Sequence, residues 1–573
     1  MTIDATAIAH GPATPTRRQS RILSRDDILL RAGVVLLAAL LSFAILFPLA
    51  TLLSKSFQDG DGSFVGAANY VRYFSTPALY ASLWNSVWVA IVATAVVIPL
   101  AFVYAYALTR SRMPMRGFFA AVAQVPLFAP SLLPAIALVY VFGNQGLLKS
   151  LLFGASVYGP IGIILSQVLY CFPHALLILI TALSLADQRL YEVAEALGTS
   201  RRRIMFTITL PGVKYGLVSA CFVVFTLVVT DFGIAKVIGG QFNVLATDAY
   251  KQVVGQQNFQ MGAVVGMVLL IPAVLAFLLD RFAQRRQVAL LSARAVPLEP
   301  KVSRLRDYAL ALYCSAVGAL IVGVIGVAVW ASFITYWPYN LTMALKWYNF
   351  ADFEPTGWGP YQSSLKMAAI VASAGTALVF TGAYVMEKTQ GFHLARGFVQ
   401  FLAMLPMAVP GLVLGLAYVF FFNARWNPVN TLYGTLLLLA INTIAHYYTT
   451  AHVTALTALK QLDAEFESVS QSLKVPFYRT FARVTVPICL PAILDIAVYL
   501  FVSALTTVSA VIFLYGASNK LAAISIVHMD EAGTTAAAAA MATVIMLTAL
   551  AVKVLHLTFV RSVLWKLQAW RRR

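Results

Sequence analysis

The sequence predicts an all-α integral membrane protein of about 12 transmembrane helices, built as a parallel 6+6 tandem repeat. Three observations carry that prediction. The chain of 573 residues is 60% hydrophobic and only 11% charged, against about a quarter charged in ordinary soluble domains. Its apolar residues fall in long runs, and a bilayer core of roughly 30 Å needs about 20 of them per helix. The second half also echoes the first at a fixed separation.

The runs, in order, lie at about 29–53, 83–109, 117–141, 158–184, 212–231 and 260–283, then 306–333, 365–386, 397–422, 431–458, 488–513 and 534–558. The first is uncharged from Ala32 to Leu53. It is too long for a signal-peptide core and has no small-residue cleavage site after it, so it reads as a retained span. The chain divides into a basic tail (1–28, with Arg17, Arg18, Arg21 and Arg25), a first half (29–284), a linker (285–305) and a second half (306–573).

Lys and Arg set the orientation. With the N-terminus in the cytoplasm, the inside segments carry 31 of the 41 basic residues. That bias predicts cytoplasmic N- and C-termini. It also explains the formal charge of +19 without a nucleic-acid partner, because the basic residues sit in short clusters between apolar runs. Cys171, Cys221, Cys314 and Cys489 make no CxxC pair, so neither a zinc site nor a disulfide framework is expected.

The repeat is parallel. Val125-Pro126 and Ala129-Pro130 return as Leu405-Pro406 and Val409-Pro410, and the segment 191–211 (YEVAEALGTSRRRIMFTITLP) returns as 467–487 (ESVSQSLKVPFYRTFARVTVP). Six spans separate the copies, which places both on one face. In 191–211, Val193, Ala196 and Leu197 recur at helical spacing while Glu192 and Glu195 lie off that stripe. Gly198 suits a left-handed helix end, Ser200 can cap the next helix, and Pro211 opens the following span. The expected product is a short amphipathic helix, a sharp turn and a return to the bilayer.

These residues resemble the EAA loop of binding-protein-dependent ABC importer permeases. Glu192, Ala194, Gly198, Ile208, Leu210 and Pro211 match that pattern at its spacing, with Val193 in place of its first Ala. The second copy departs from it: Lys474 replaces the Gly, and Glu467 sits one place earlier than Glu192. The resemblance implies a type I ABC importer permease fold in the bacterial inner membrane. It implies that Glu192, Ala194 and Gly198, and more weakly Glu467 and Lys474, touch a cytoplasmic ABC ATPase subunit. Two copies of that ATPase and a periplasmic binding protein are the implied partners, and ATP and Mg would be bound by the ATPase. In this chain GNQGLLKS (143–150) lacks the second Gly of a P-loop, so no catalytic residue, cofactor or metal is expected.

Fused two-permease chains are typical of the group handling ferric iron, thiamine and 2-aminoethylphosphonate. The stretch 230–268 is most similar to the fused 2-aminoethylphosphonate permeases, so a small polar solute of that kind is the expected cargo. Intramembrane polar groups often mark a pathway. The candidates are Asn442, His446, Tyr447 and Tyr448 in one span, Gln167, Tyr170 and His174 in its counterpart, and Asp231 and Asp495. For an aminophosphonate, His446 and Tyr448 would serve the phosphonate and Asp231 the amine. The competing bland reading is helix-to-helix hydrogen bonding. Trp330, Trp337 and Trp347 fit an interfacial belt beside the outer segment 334–364, which with 54–82 is the expected docking surface for a binding protein. The competing class is an ion-coupled secondary transporter, in which an EAA-type loop has no role.

Overall fold

A computed structural model describes residues 24–289, 296, 298–463, 465–560 and 562. Most of the basic tail, residues 290–295 and 297 of the linker, and nearly all of 561–573 lie outside the described residues.

Nine described helices are long and apolar enough to cross a bilayer. They are span 1 (Arg25–Ser56), span 2 (Pro77–Arg110), span 4 (Pro160–Ser184), span 5 (Arg201–Thr230), span 6 (Phe259–Ala283), span 7 (Arg304–Ser332), span 8 (Gly359–Lys388), span 11 (Phe477–Thr506) and span 12 (Thr535–Phe559). Two more segments differ from the straight runs expected. Span 3 is a pair, Arg116–Phe128 and Leu132–Phe142, bent by 100°, and span 9 is His393–Met407 with Gly411–Phe422, bent by 114°. The bends fall at the repeated prolines, Pro126/Pro130 and Pro406/Pro410, which remove backbone donors and favour a break. Span 10 (Leu436–Lys460) is a 25-residue helix whose Asn442, Thr443, His446 and Tyr447 dilute its apolar character. Spans 5 and 11 start well before the apolar runs and are continuous with the loop turns. Pro173 lies inside span 4, which runs on through it.

The bent segments still cross. The Arg110 guanidinium, at the end of span 2, donates to the Leu183 carbonyl at the end of span 4 (2.6 Å). Two neighbouring helices whose C-terminal ends meet run parallel, so the chain between them crosses once. In the second half, Gly375 and Gly382 of span 8 lie against Ile444 and Tyr448 of span 10, in the same order. Spans 8 and 10 are therefore parallel too.

Packing partners do not follow the chain halves. Span 1 packs on spans 8 and 9 of the second half, and span 7 packs on spans 2 and 3 of the first. Tyr418 donates to the Ala44 carbonyl (2.6 Å) and Tyr313 to the Leu100 carbonyl (2.8 Å). Each half is thus clasped by the other's first helix. On one face, Asp26 accepts from the Phe477 amide (3.0 Å), and Arg31 lies over the Phe392 ring (5.7 Å). The start of span 1 and both 276-residue-spaced loops therefore share a face. On the opposite face, Trp337 donates to Gln145 (3.1 Å) and packs on Trp330 and Tyr140, joining the 334–343 hairpin to the first half.

Candidate functional site

Two features stand out: a pair of knobs on the loop face, and a cavity between the halves.

The first knob is the helix Gln188–Ala196. Asp187 caps it by accepting from the Arg189 amide (3.1 Å). Gly198 ends it at φ +67°, and Ser200 caps the next helix through the Arg203 amide (3.4 Å). Ala194 is buried against the protein, whereas Leu190, Val193 and Leu197 face outward, Leu197 at 77% exposure. Glu192 is exposed and accepts from Gln188 (2.6 Å). Tyr191 anchors the knob, lying under the Arg110 guanidinium (5.3 Å) and bonding Thr209 (3.1 Å).

The second knob is the helix Glu465–Ser472. Phe466, Val469 and Leu473 are exposed, each 276 residues after Leu190, Val193 and Leu197. Lys474 takes φ +54° where Gly198 has +67°. The Val475 amide bonds the Ser470 carbonyl as Thr199 bonds Ala194, both at 2.9 Å. Past each turn a π-helical segment follows, Met205–Thr209 and Phe481–Thr485. That bulge carries no sequence signature. The side chain of Glu467 lies outside the described residues.

An exposed triad of large apolar side chains, repeated on the same face, is a surface that another protein can cover. Each such side chain contributes about 1.5–3 kcal/mol when fully buried. The acids flanking it set polarity at the rim.

The cavity, of about 700 Å³, lies between the halves. Tyr170 and His174 of span 4, Asp231 at the end of span 5, and His446 and Tyr447 of span 10 line it, with Tyr499 and Thr507. Asp280, Asp495 and Lys553 line it nearer the loop face. At the other end each half packs tightly on itself: a Cβ on Gly233 would lie 2.7 Å from the Ser131 hydroxyl, and one on Gly411 2.9 Å from that of Ser509.

The candidates named from sequence separate here. Asp231 accepts from the Ile234 amide (2.9 Å) and from Gln167 (3.2 Å), so Gln167 reaches the cavity through Asp231. His446 and Tyr447 present their rings to it, 4.7 Å apart. Asn442 and Tyr448 do not line it. Asn442 donates to the Ala510 carbonyl (2.7 Å), and Tyr448 is fully buried with its ring stacked on His452. On a helix of period 3.6, residues 446 and 447 share a face that 448 leaves. The sequence showed the polar cluster but not its azimuth.

Nearer the loop face the halves use swapped chemistry. Ser219 of span 5 donates to Asp280 of span 6, and Asp495 of span 11 meets His556 of span 12 (3.6 Å). Positions 219 and 495, and 280 and 556, correspond across the repeat. Each half thus sets one carboxylate between its last two spans, on opposite partners: hydrogen-bonded to Ser219 in the first half, and 3.6 Å from the His556 ring without a hydrogen bond in the second.

A multi-pass, two-fold helical bundle with paired knobs on one face and a polar cavity on its pseudo-axis is the architecture of a membrane permease subunit. The chain belongs to the family of binding-protein-dependent transport system inner membrane components, which matches it twice, over residues 97–288 and 382–564. Both matches begin after the exchanged first helices. The chain is 25% identical over 555 residues to the ferric transport system permease protein of Actinobacillus pleuropneumoniae, covering 92% of this chain and 78% of that one. It is 28% identical over 235 residues to the thiamine transport system permease protein of Brucella abortus (40% of this chain, 41% of that one). A spermidine/putrescine permease of Haemophilus influenzae aligns over 92% of its own length but 43% of this chain, at 25% identity. A complete relative of half the length fits the reading of this chain as two permeases in one polypeptide.

Proposed function

We propose that this chain is the transmembrane pathway of an ATP-driven importer whose two knobs dock on two cytoplasmic ATPase subunits. The observation that carries the reading is the outward apolar triad, Leu190/Val193/Leu197, repeated as Phe466/Val469/Leu473 on the same face. When nucleotide draws the ATPases together, the knobs follow. Spans 5 and 11, continuous with the knob turns, move with them, and the two halves rock about the cavity. A binding protein delivers cargo at the opposite face.

For the cargo we propose 2-aminoethylphosphonate. The similarity of 230–268 to fused permeases for that solute supports it, and so does the cavity chemistry. In a chain of charge +19, the cavity carries Asp231, Asp280 and Asp495 against Lys553 alone among its Lys and Arg. This net negative lining attracts an ammonium and repels a bare anion. Asp231 would take the amine, while His446, Tyr447 and Tyr170 would donate to the phosphonate. Tyr447 replaces Tyr448 in that role because Tyr448 stands behind the wall. A second reading, ferric iron or thiamine, is favoured by the names of the relatives, the ferric one spanning 92% of this chain.

Uptake into proteoliposomes holding the permease, its ATPase and its binding protein tests both parts. The expected result is ATP-dependent accumulation of 2-aminoethylphosphonate. Accumulation of ferric iron or thiamine in its place overturns the cargo, and accumulation driven by an ion gradient without the ATPase overturns the class.

A further inference from the structure

A second cavity, of about 650 Å³, lies away from the pathway, between span 1 of the first half and the end of span 9 of the second. Phe43, Phe47, Phe421 and Trp426 form its apolar wall, and Lys55 and Gln58 lie at its far end. From Phe43 to Lys55 is twelve residues of helix, about 18 Å at 1.5 Å per residue. That is close to one leaflet of a bilayer core of roughly 30 Å. Phe43 falls near the middle of the uncharged run Ala32–Leu53, and Lys55 just beyond its end. The groove therefore runs from mid-membrane to the headgroup level, on the side opposite the knobs.

Its chemistry follows that axis. Phe43 sits edge-on to Phe421 and Phe422 (5.6 Å to each), and Trp426 packs on Phe421 (5.7 Å), leaving most of its own ring exposed. Lys55 makes no ion pair among the described residues. An apolar slot one leaflet deep, capped by a cation and an interfacial tryptophan, matches a two-part molecule: an acyl chain below and an anionic headgroup above.

We propose that this groove binds an anionic phospholipid of the outer leaflet, with its phosphate at Lys55 and one acyl chain along Phe43, Phe47 and Phe421. The site lies on the seam where one half's first helix clasps the other half. A lipid bound there is held by both halves and fills a joint that must shear when they rock.

The test is native mass spectrometry of the full chain, released from micelles containing equal amounts of phosphatidylglycerol and phosphatidylcholine. The wild type is expected to retain phosphatidylglycerol preferentially. A basic residue near an anionic surface contributes about 1 kcal/mol, so Lys55→Gln is expected to cut that preference roughly fivefold. Lys55→Arg should preserve it, and Phe47→Ala should lower retention of both lipids. Lys149→Gln, a change at an exposed lysine on the same side remote from the groove, should leave the preference intact. No preference in the wild type, full preference in Lys55→Gln, or an equal loss in Lys149→Gln would each overturn the site. A near-ultraviolet circular dichroism spectrum unchanged in each variant excludes misfolding as the cause.

Discussion

The two knobs have the same shape and different moorings. Gly198 and Lys474 occupy equivalent turn positions with φ of +67° and +54°, although a side chain in the left-handed region costs roughly 1–2 kcal/mol. The second turn accepts that cost because its hydrogen bonds and exposed triad duplicate those of the first. What differs is how each knob is held. The first is tied by Arg110 and Tyr191, and by the linker: Val296 bonds Gln188 and Asp187, the Glu299 amide bonds Gln188, and Lys301 pairs with Glu195. At the second, Met386 and Glu467 stand where Arg110 and Tyr191 stand, and Asp26 from span 1 holds the turn instead. Shape is what the duplication kept. The supports diverged.

That contrast can be broken or sharpened by mutation. The largest effect is expected from an acid in either triad: Leu197→Asp and Leu473→Asp should each lower ATP-driven uptake more than tenfold, because each places a charge where about 2 kcal/mol of apolar burial is needed. Equal losses support two gripped knobs, whereas a loss at Leu197 alone would reduce the second to a structural echo. Glu192→Lys should uncouple ATP hydrolysis from uptake, and Glu467→Lys should do so less; transport and ATPase rates measured together decide this. Arg110→Ala removes the charge-assisted bond to the Leu183 carbonyl, which keeps the Ala186 amide, and takes the cation off the Tyr191 ring; it should cost about 1.5–3 kcal/mol of stability, read as a lowered melting temperature. The smallest effects are at the moorings and turns. Lys301→Ala removes an exposed pair that contributes under about 1 kcal/mol, and Lys474→Gly should raise stability by about 1 kcal/mol.

Much of this was legible in the sequence, and the reasons are physical. Twenty-residue apolar runs have one stable use, so the membrane class, the repeat and nine to eleven of the expected spans could be read directly. Gly198 and Ser200 announced a turn because few other residues serve those backbone needs. What could not be read depends on three-dimensional packing. The repeated prolines marked spans 3 and 9 without giving the 100° and 114° bends. Exchange of the first helices leaves no local trace, since a lipid-facing helix reads alike whichever half it clasps. That Tyr447 and not Tyr448 meets the cavity is invisible in the sequence, because a polar cluster shows composition but not azimuth. The swapped placement of Asp280 beside Ser219 and Asp495 beside His556 appears only once the helices are side by side.

The central claim is that both knobs are gripped from one side by separate ATPase subunits. Cysteines placed at Val193 and Val469 and reacted with a short bifunctional cross-linker in native membranes test it directly. The account predicts that both positions join to the same cytoplasmic ATPase polypeptide, with yields that change when nucleotide is added. Reaction of either position only with reagents confined to the outer side of the membrane would contradict it, as would capture at neither.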